Sequence, residues 1–322
     1  MFKSGKRVLF EMAKILVTGP FGQIGSDLVP ILQKREGKEN VICLGHNNIP
    51  SDFDGILEQG DTSNREDMQK LIDKYEITEI YHLASLLSAT GEKNPQLAWE
   101  VNIHGLKNLL DLAIERKIKI FWPSSIAVFG PTTPRDNTPQ QTIIEPTTMY
   151  GVTKLTGEAL CNYYFLRYGV DVRSLRYPGL IGYKATPGGG TTDYAVAIFY
   201  EALKNGKYEC YLKEDTTMPM MYMDDAIKAT LDLMKAPKEK IKIRTSYNLA
   251  AISFSPKEIA TEIKKHIPEF TISYAPDSRQ AIADSWPRII DDSKARGDWG
   301  WTYSVDLAEM TKIMLEEIKK KI

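Results

Sequence analysis

Lys14-Ile15-Leu16-Val17-Thr18-Gly19-Pro20-Phe21-Gly22-Gln23-Ile24-Gly25 decides how the rest of the chain is read. An apolar, β-branched run ends at Thr18, three glycines follow at even spacing, and a helix-like stretch comes next. At a strand-to-helix turn these glycines have separable work. Gly19 permits the tight turn, Gly22 lets the backbone approach a pyrophosphate, and Gly25 lets helix and strand pack closely. The helix start offers N–H groups and the positive end of its dipole to phosphate oxygens. GxxGxxG is a variant of the dinucleotide fingerprint, and its place between first strand and first helix gives it weight.

Outward from this turn the pattern alternates. Apolar, β-rich runs at Ile15–Thr18, Val41–Leu44, 79–83, 118–123 and 171–176 are separated by helix-like stretches. Residues 95–117 predict one helix, with Leu97, Val101, Leu106, Leu109, Leu110 and Ala113 at helical spacing and Pro95 in its first turn. Strand–helix alternation implies right-handed βαβ units and a parallel sheet. With the fingerprint, the expected class is α/β: a Rossmann-type, doubly wound parallel sheet with a smaller, interrupted C-terminal substrate lobe. Residues 1–12 read as an extension ahead of the fold. Residues 13–185 read as the dinucleotide-binding domain, with 224–250 returning to it, and 186–223 and 251–322 as the substrate lobe.

Composition narrows the class of function. The 322 residues are 43% hydrophobic and 26% charged, with a formal net charge of −1. That balance offers nothing to nucleic acid or to an anionic membrane, and no apolar run is long enough to span a bilayer. Cys43, Cys161 and Cys210 lie far apart, against both a disulfide framework and a thiolate metal site. A reducing cytoplasm fits, with a mitochondrial matrix as the alternative if residues 1–12 are an import signal. His46, His82, His104 and His266 are scattered without HxxxH or HExxH, so no metal is expected.

Tyr150-Gly151-Val152-Thr153-Lys154 opens another helix-like run. Residues four apart share a helix face, so the Lys154 ammonium can lie near the Tyr150 phenol. A tyrosine ordinarily titrates near about 10. An adjacent cation, with the positive charge of an oxidised nicotinamide, lowers that value and makes a general base for an alcohol. Ser124 and Ser125 end the fifth strand, over the crevice where open α/β sheets bind ligands. Ser124 is placed to hydrogen-bond a substrate oxygen as charge develops. The second strand ends without the usual ribose-binding acid; Asn47 and Asn48 are either ribose ligands or a polar turn. Residues 39–54 hold no Arg or Lys for a 2′-phosphate, which favours NAD over NADP. Asp61, after a third strand-like run, is either an adenine contact or the N-cap of the following helix.

The glycine turn, strand-end serines and YxxxK resemble an extended short-chain dehydrogenase/reductase. Within it the closer likeness is to the short-chain L-threonine 3-dehydrogenases. It rests on Leu83-Ala84-Ser85-Leu86-Leu87-Ser88-Ala89, the 123–131 and 176–179 stretches, 218–222, 291–296 and 298–300. The most specific stretches are Pro187-Gly188-Gly189-Gly190-Thr191-Thr192-Asp193-Tyr194-Ala195 and Ser285-Trp286-Pro287. The resemblance implies NAD-dependent oxidation of the L-threonine β-hydroxyl to 2-amino-3-oxobutanoate, toward glycine. Tyr150 is then the base, Lys154 its tuning partner, and Ser124 and Ser125 the hydroxyls beside them. Cofactor contacts fall on Gly19, Phe21, Gly22, Gln23, Ile24, Gly25, Asn47, Asp61, Leu83, Ala84, Ser85, Asn102, Tyr150, Lys154, Tyr177, Pro178 and Ile181. Substrate contacts fall on Ser88, Ser124, Tyr150, Gly189, Thr191, Thr192 and Trp286. The glycine loop then forms an anion nest for the substrate carboxylate. The family pairs as homodimers through helices such as 95–117 and 150–168.

Each of these residues has a blander reading: a turn for Ser88, a surface loop for Thr191 and Thr192, core packing for Trp286. Asp292 reads as a cap for the 293–296 turn, and Met220, Met221 and Met223 as core filler. Two rival functions are a nucleotide-sugar epimerase/dehydratase and a non-catalytic NAD-sensing regulator.

Overall fold

The computed structural model describes residues 13–45, 49–188 and 190–322; the 1–12 extension, Asn47 and Gly189 lie outside the described residues. The chain runs β1 (Ile15–Thr18), α1 (Gly25–Glu36), β2 (Val41–Leu44), β3 (Ile56–Glu58), α2 (Arg65–Tyr75), β4 (Glu79–His82), α3 (Ser88–Lys93) and α4 (Pro95–Trp99). A π-helical turn (Glu100–His104) leads to α5 (Gly105–Arg116), β5 (Lys119–Ser125), α6 (Met149–Tyr168), β6 (Val172–Tyr177) and β7 (Gly179–Ile181). It continues as α7 (Tyr194–Asn205), β8 (Lys207–Cys210), β9 (Met218–Tyr222), α8 (Met223–Lys235), β10 (Tyr247–Asn248) and β11 (Ile252–Phe254). The last elements are α9 (Pro256–His266), β12 (Thr271–Tyr274), α10 (Arg279–Asp284), α11 (Ser293–Trp299) and α12 (Leu307–Lys319).

Seven of these strands form one parallel sheet in the order β10-β6-β5-β4-β1-β2-β3. The chain builds outward from β1 through β2 to β3, then returns to lay β4 on the other side of β1. That reversal opens a crevice at the carboxyl ends of β1 and β4. Strand pleating sends Ile15 and Val17 to one face and Leu16 to the other. Ile15 and Val17 pack with Leu28 and Leu32 of α1 and Ala226 and Leu233 of α8. Leu16 packs with Met68 and Ile72 of α2 and Leu106 and Leu110 of α5. Helices therefore cover both faces, and the sheet is doubly wound as the alternation predicts.

A further apolar cluster gathers α7, α9 and α12 around β8 and β9, with Tyr194, Phe199, Met220, Ile259 and Met314 at its centre. Met220, Met221 and Met223 are all buried, in keeping with a filling role. Among the described residues no helix is long and apolar enough to cross a membrane.

One difference from the sequence pattern bears on the site. The 95–117 stretch is not one regular helix: a π turn interrupts it at Glu100–His104 and turns the buried Asn102 inward. Strand β5 ends on Ser124 and Ser125, as its sequence predicts, and the pleat points the two serines to opposite faces.

Candidate active site

The first turn is built as a cradle. Gly19 has φ +68°, and a Cβ there would meet Ala84 N at 2.8 Å, so β1 and the loop after β4 touch through backbone. A Cβ on Gly25 would meet Gly19 O at 2.4 Å, which is the close helix–strand packing its position requires. Gly22 differs: it is exposed, and a Cβ would meet only Gly19 O at 3.5 Å, leaving its outer side open. Helix α1 begins after Ile24 with no side chain capping it; Ser26 N and Asp27 N donate to the Gly22 and Ile24 carbonyls, and the positive end of the helix dipole lies at this turn. These features fit a dinucleotide pyrophosphate. Phe21 meets Phe53 edge-on at 5.1 Å and lies beside Gly45 at the end of β2. Gln23 Nε2 donates to Leu180 O at 3.1 Å, tying the cradle to β7.

Thr148 caps α6 by accepting the Gly151 N–H at 3.1 Å, which sets Tyr150 in the first turn. Tyr150 is half-buried and packs against the cluster that holds Trp286. Burial pushes its phenol up to about 12, and the Ser125 hydroxyl, within reach of it, works the other way. Lys154 is buried; its Nζ donates to Pro123 O at 2.7 Å and lies 4.7 Å from the Trp122 ring and 5.3 Å from the Tyr150 ring. Burial holds Lys154 down at about 7, opposed by Cys161 and Glu158 on the same helix. Tyr150 and Lys154 thus meet as their spacing predicts, while desolvation moves both away from their charged forms.

Several expected contacts fall elsewhere. Ser124 is buried and donates to Glu158 Oε1 at 2.6 Å, two turns further along α6 than Tyr150, while the hydroxyl beside the Tyr150 phenol is that of Ser125. Asn102 spends its whole amide on protein: Oδ1 accepts from Ser85 Oγ and Leu86 N, and Nδ2 donates to Leu86 O and Thr153 Oγ1. These bonds tie the loop after β4 to α6. Leu83 N and Ala84 N of that loop donate to Thr18, at the foot of the cradle. Tyr177 is buried, its hydroxyl bonded to Thr230 Oγ1 beneath α8, and Ile181 is fully buried in the core of the second cluster. Pro178 between them is buried as well. Asp61 is exposed and accepts Ser63 N at 2.9 Å, while Asn64, not Asp61, caps α2. Asp292 caps nothing: it pairs with Arg296 and accepts Trp301 Nε1 at 2.9 Å.

On the substrate side, Ser88 begins α3, which packs against α6 and accepts Met149 N on Glu92 Oε1 at 2.6 Å. Thr191 is buried, and Thr192 packs so tightly on Gly179 that a Cβ there would meet Thr192 Cγ2 at 2.8 Å. Two of the loop's described N–H groups are already taken. Gly188 N and Gly190 N both donate to Asp193 Oδ2, at 2.7 and 2.8 Å, so the chain's own carboxylate takes the place expected for the substrate's. Tyr211, also unforeseen, donates to Gly190 O at 3.0 Å and steadies the same loop. An Asp closing a Gly/Thr turn is the signal for the first; Tyr211 has no local signal. Trp286 is buried and accepts Arg135 Nε on its carbonyl at 3.0 Å.

Residues 15–250 match the NAD dependent epimerase/dehydratase family. A mitochondrial L-threonine 3-dehydrogenase from Bos taurus is 48% identical over 308 residues, covering 95% of this chain and 82% of that protein. An L-threonine dehydrogenase structure from Clostridium difficile is 50% identical, with TM-score 0.94, covering 96% of this chain and 98% of the other. A monomeric L-threonine 3-dehydrogenase from a metagenome is 46% identical, with TM-score 0.92 and coverage of 95% and 99%.

Proposed function

The chain belongs to the NAD dependent epimerase/dehydratase family, and from that premise we propose that it is an L-threonine 3-dehydrogenase using NAD. The observation that carries this reading is the meeting of Tyr150, Ser125 and Lys154 at the carboxyl edge of a sheet whose first turn is a dinucleotide cradle. The reaction oxidises the threonine β-carbon to a ketone, giving 2-amino-3-oxobutanoate and NADH. NAD, when bound, supplies the hydride acceptor and a positive charge. Tyr150 takes the β-hydroxyl proton, and Ser125 orients that hydroxyl. Lys154, in its charged form, favours the Tyr150 phenolate against the burial that opposes it. Gly19, Gly22, Gly25 and the start of α1 hold the pyrophosphate. Ser88, Thr191, Thr192 and Trp286 surround the substrate.

Residues 13–185 and 224–250 serve the cofactor, and 186–223 and 251–322 the substrate. The three cysteines are buried and unpaired, which suits a reducing compartment such as the cytoplasm. Leu97, Val152, Tyr163, Leu166 and Tyr168 leave an exposed apolar and aromatic stripe along α4 and α6. A homodimer covers such a stripe; light scattering giving a monomer at all concentrations contradicts that part.

Absorbance of NADH is the test of the activity. It should rise with L-threonine and NAD, stay flat with UDP-galactose, and give a higher kcat/KM with NAD than with NADP. Isomerisation of UDP-galactose without net NADH favours the epimerase alternative. NAD binding with no turnover of amino alcohols favours a sensor.

A further inference from the structure

Glu158 lies four residues after Lys154 on α6, so the two side chains share one helix face. It is 1% exposed, and both oxygens of its carboxylate are engaged. Oε1 accepts the Ser124 hydroxyl at 2.6 Å and Arg176 Nε at 2.8 Å; Oε2 accepts Arg176 Nη2 at 2.7 Å. Arg176, 2% exposed, continues through Nη1 to Asn248 Oδ1 at 3.0 Å on the edge strand β10. Directly beneath, α6 is pressed onto β5: a Cβ on Gly157 would meet the Trp122 ring at 2.3 Å, and Lys154 Nζ lies over that same ring.

A buried ion pair is poorly explained by stability, since apolar replacements of similar volume are often neutral or stabilising. Its position next to a buried, reactive ammonium supplies another reason. We propose that Glu158, fixed in place by Ser124 and Arg176, is a positioning residue that keeps Lys154 charged beside Tyr150. The roles of Lys154 and Tyr150 rest on the dehydrogenase reading above.

The groups facing Lys154 leave this work to Glu158. From β4 comes His82, which burial and then Lys154 hold down at about 3, so it is neutral. From α6 come Tyr150 and Cys161, both pushed up by burial and uncharged near neutral pH. From β5 come Trp122, the Pro123 carbonyl and Ser124, none of them ionised. From β6, Arg176 stands behind the Glu158 carboxylate and is bound to it. The carboxylate of Glu158 is thus the negative charge that opposes the desolvation of Lys154.

The Lys154 side chain, labelled with carbon-13 and titrated by NMR in the protein without added ligand, reads this directly; Lys154→Met identifies its signal. In wild type its midpoint should lie near 7. Glu158→Gln should lower it by about one pH unit, the size expected on losing an opposite charge nearby, while Arg176→Met should leave it level or raise it. The acid limb of kcat/KM for L-threonine should rise in Glu158→Gln by a similar amount. Equal shifts in both single variants, or an unmoved midpoint in folded Glu158→Gln, overturn the proposal. Should Glu158→Gln fail to fold, the double variant Glu158→Gln/Arg176→Met is compared with Arg176→Met, from which it differs only in the carboxylate; equal midpoints in these two overturn the proposal. Absence of threonine oxidation in wild type, with the NMR shift present, would instead overturn the dehydrogenase reading.

Discussion

Ser124 and Ser125 are neighbours on one strand, and the pleat gives them different work. Ser125 faces the phenol of Tyr150, while Ser124 is sealed against Glu158. Ser125→Ala should therefore lower kcat by about 10²-fold, the usual loss for one donor to a developing oxyanion, with the Kd for NAD unchanged. Ser124→Ala acts through the buried network and should cost about 1–3 kcal/mol of stability in urea unfolding. The pair of hydroxyls was legible in the sequence, because both end an apolar run at the carboxyl edge. Which one faces the crevice was not, because that depends on where β5 stops and on Glu158, far away in the chain. Tyr150 and Lys154 were legible together because helix geometry alone fixes their proximity. Their electrostatics were not, since burial is a property of the folded molecule: it raises Tyr150 to about 12 and lowers Lys154 to about 7. Removing the charge with Lys154→Met should move the acid limb of kcat/KM upward, toward the value of about 12 that burial sets for Tyr150. A limb that does not move means that Lys154 has no part in the proton transfer.

Helix α6 carries both reactive side chains, and its placement depends on close packing. Gly157 lets it lie on Trp122, and Gly157→Ala should destabilise the protein by about 1–3 kcal/mol through overpacking, read as a lower midpoint in thermal unfolding. The π turn at Glu100–His104 is the second device at this scale. It presents Asn102 to the loop after β4 and to Thr153 of α6 at once. Asn102→Leu strands buried partners at Leu86 and Thr153 and should cost about 1–3 kcal/mol. Amide exchange at residues 85–86 should quicken with it; unchanged protection there would count against a positioning role. Apolar spacing in 95–117 reports a helix but is blind to a single π turn, which adds one residue without disturbing the buried stripe much. The glycine cradle needed no such help, because each glycine is demanded by a local steric limit.

At the scale of the whole molecule, alternation of strands and helices was enough to foresee the parallel sheet and its switch point, since few topologies satisfy it. Long-range polar contacts were not foreseeable: Glu158, Arg176 and Asn248 come from three separate elements. Buried His82 ties the sheet to the cradle through Thr18 Oγ1 at 2.8 Å, and burial holds it neutral down to about 3. Unfolded, it titrates near about 6.5. Between these values the unfolded chain binds the extra proton, so stability falls as pH drops from about 6.5 toward about 3. His82 contributes roughly 1.4 kcal/mol per pH unit to that fall. Urea titrations of wild type and His82→Gln should therefore converge on acidification; parallel curves would refute this. The central claim is that Tyr150 is the base in threonine oxidation by a site that binds NAD independently of it. Its most direct test is Tyr150→Phe, measured for NAD affinity by fluorescence and for NADH formation with L-threonine in one preparation. The variant should bind NAD with a Kd near that of wild type and show kcat reduced by at least about 10²-fold, the lower end expected for losing a general base. A variant that turns over threonine at the full rate would contradict it.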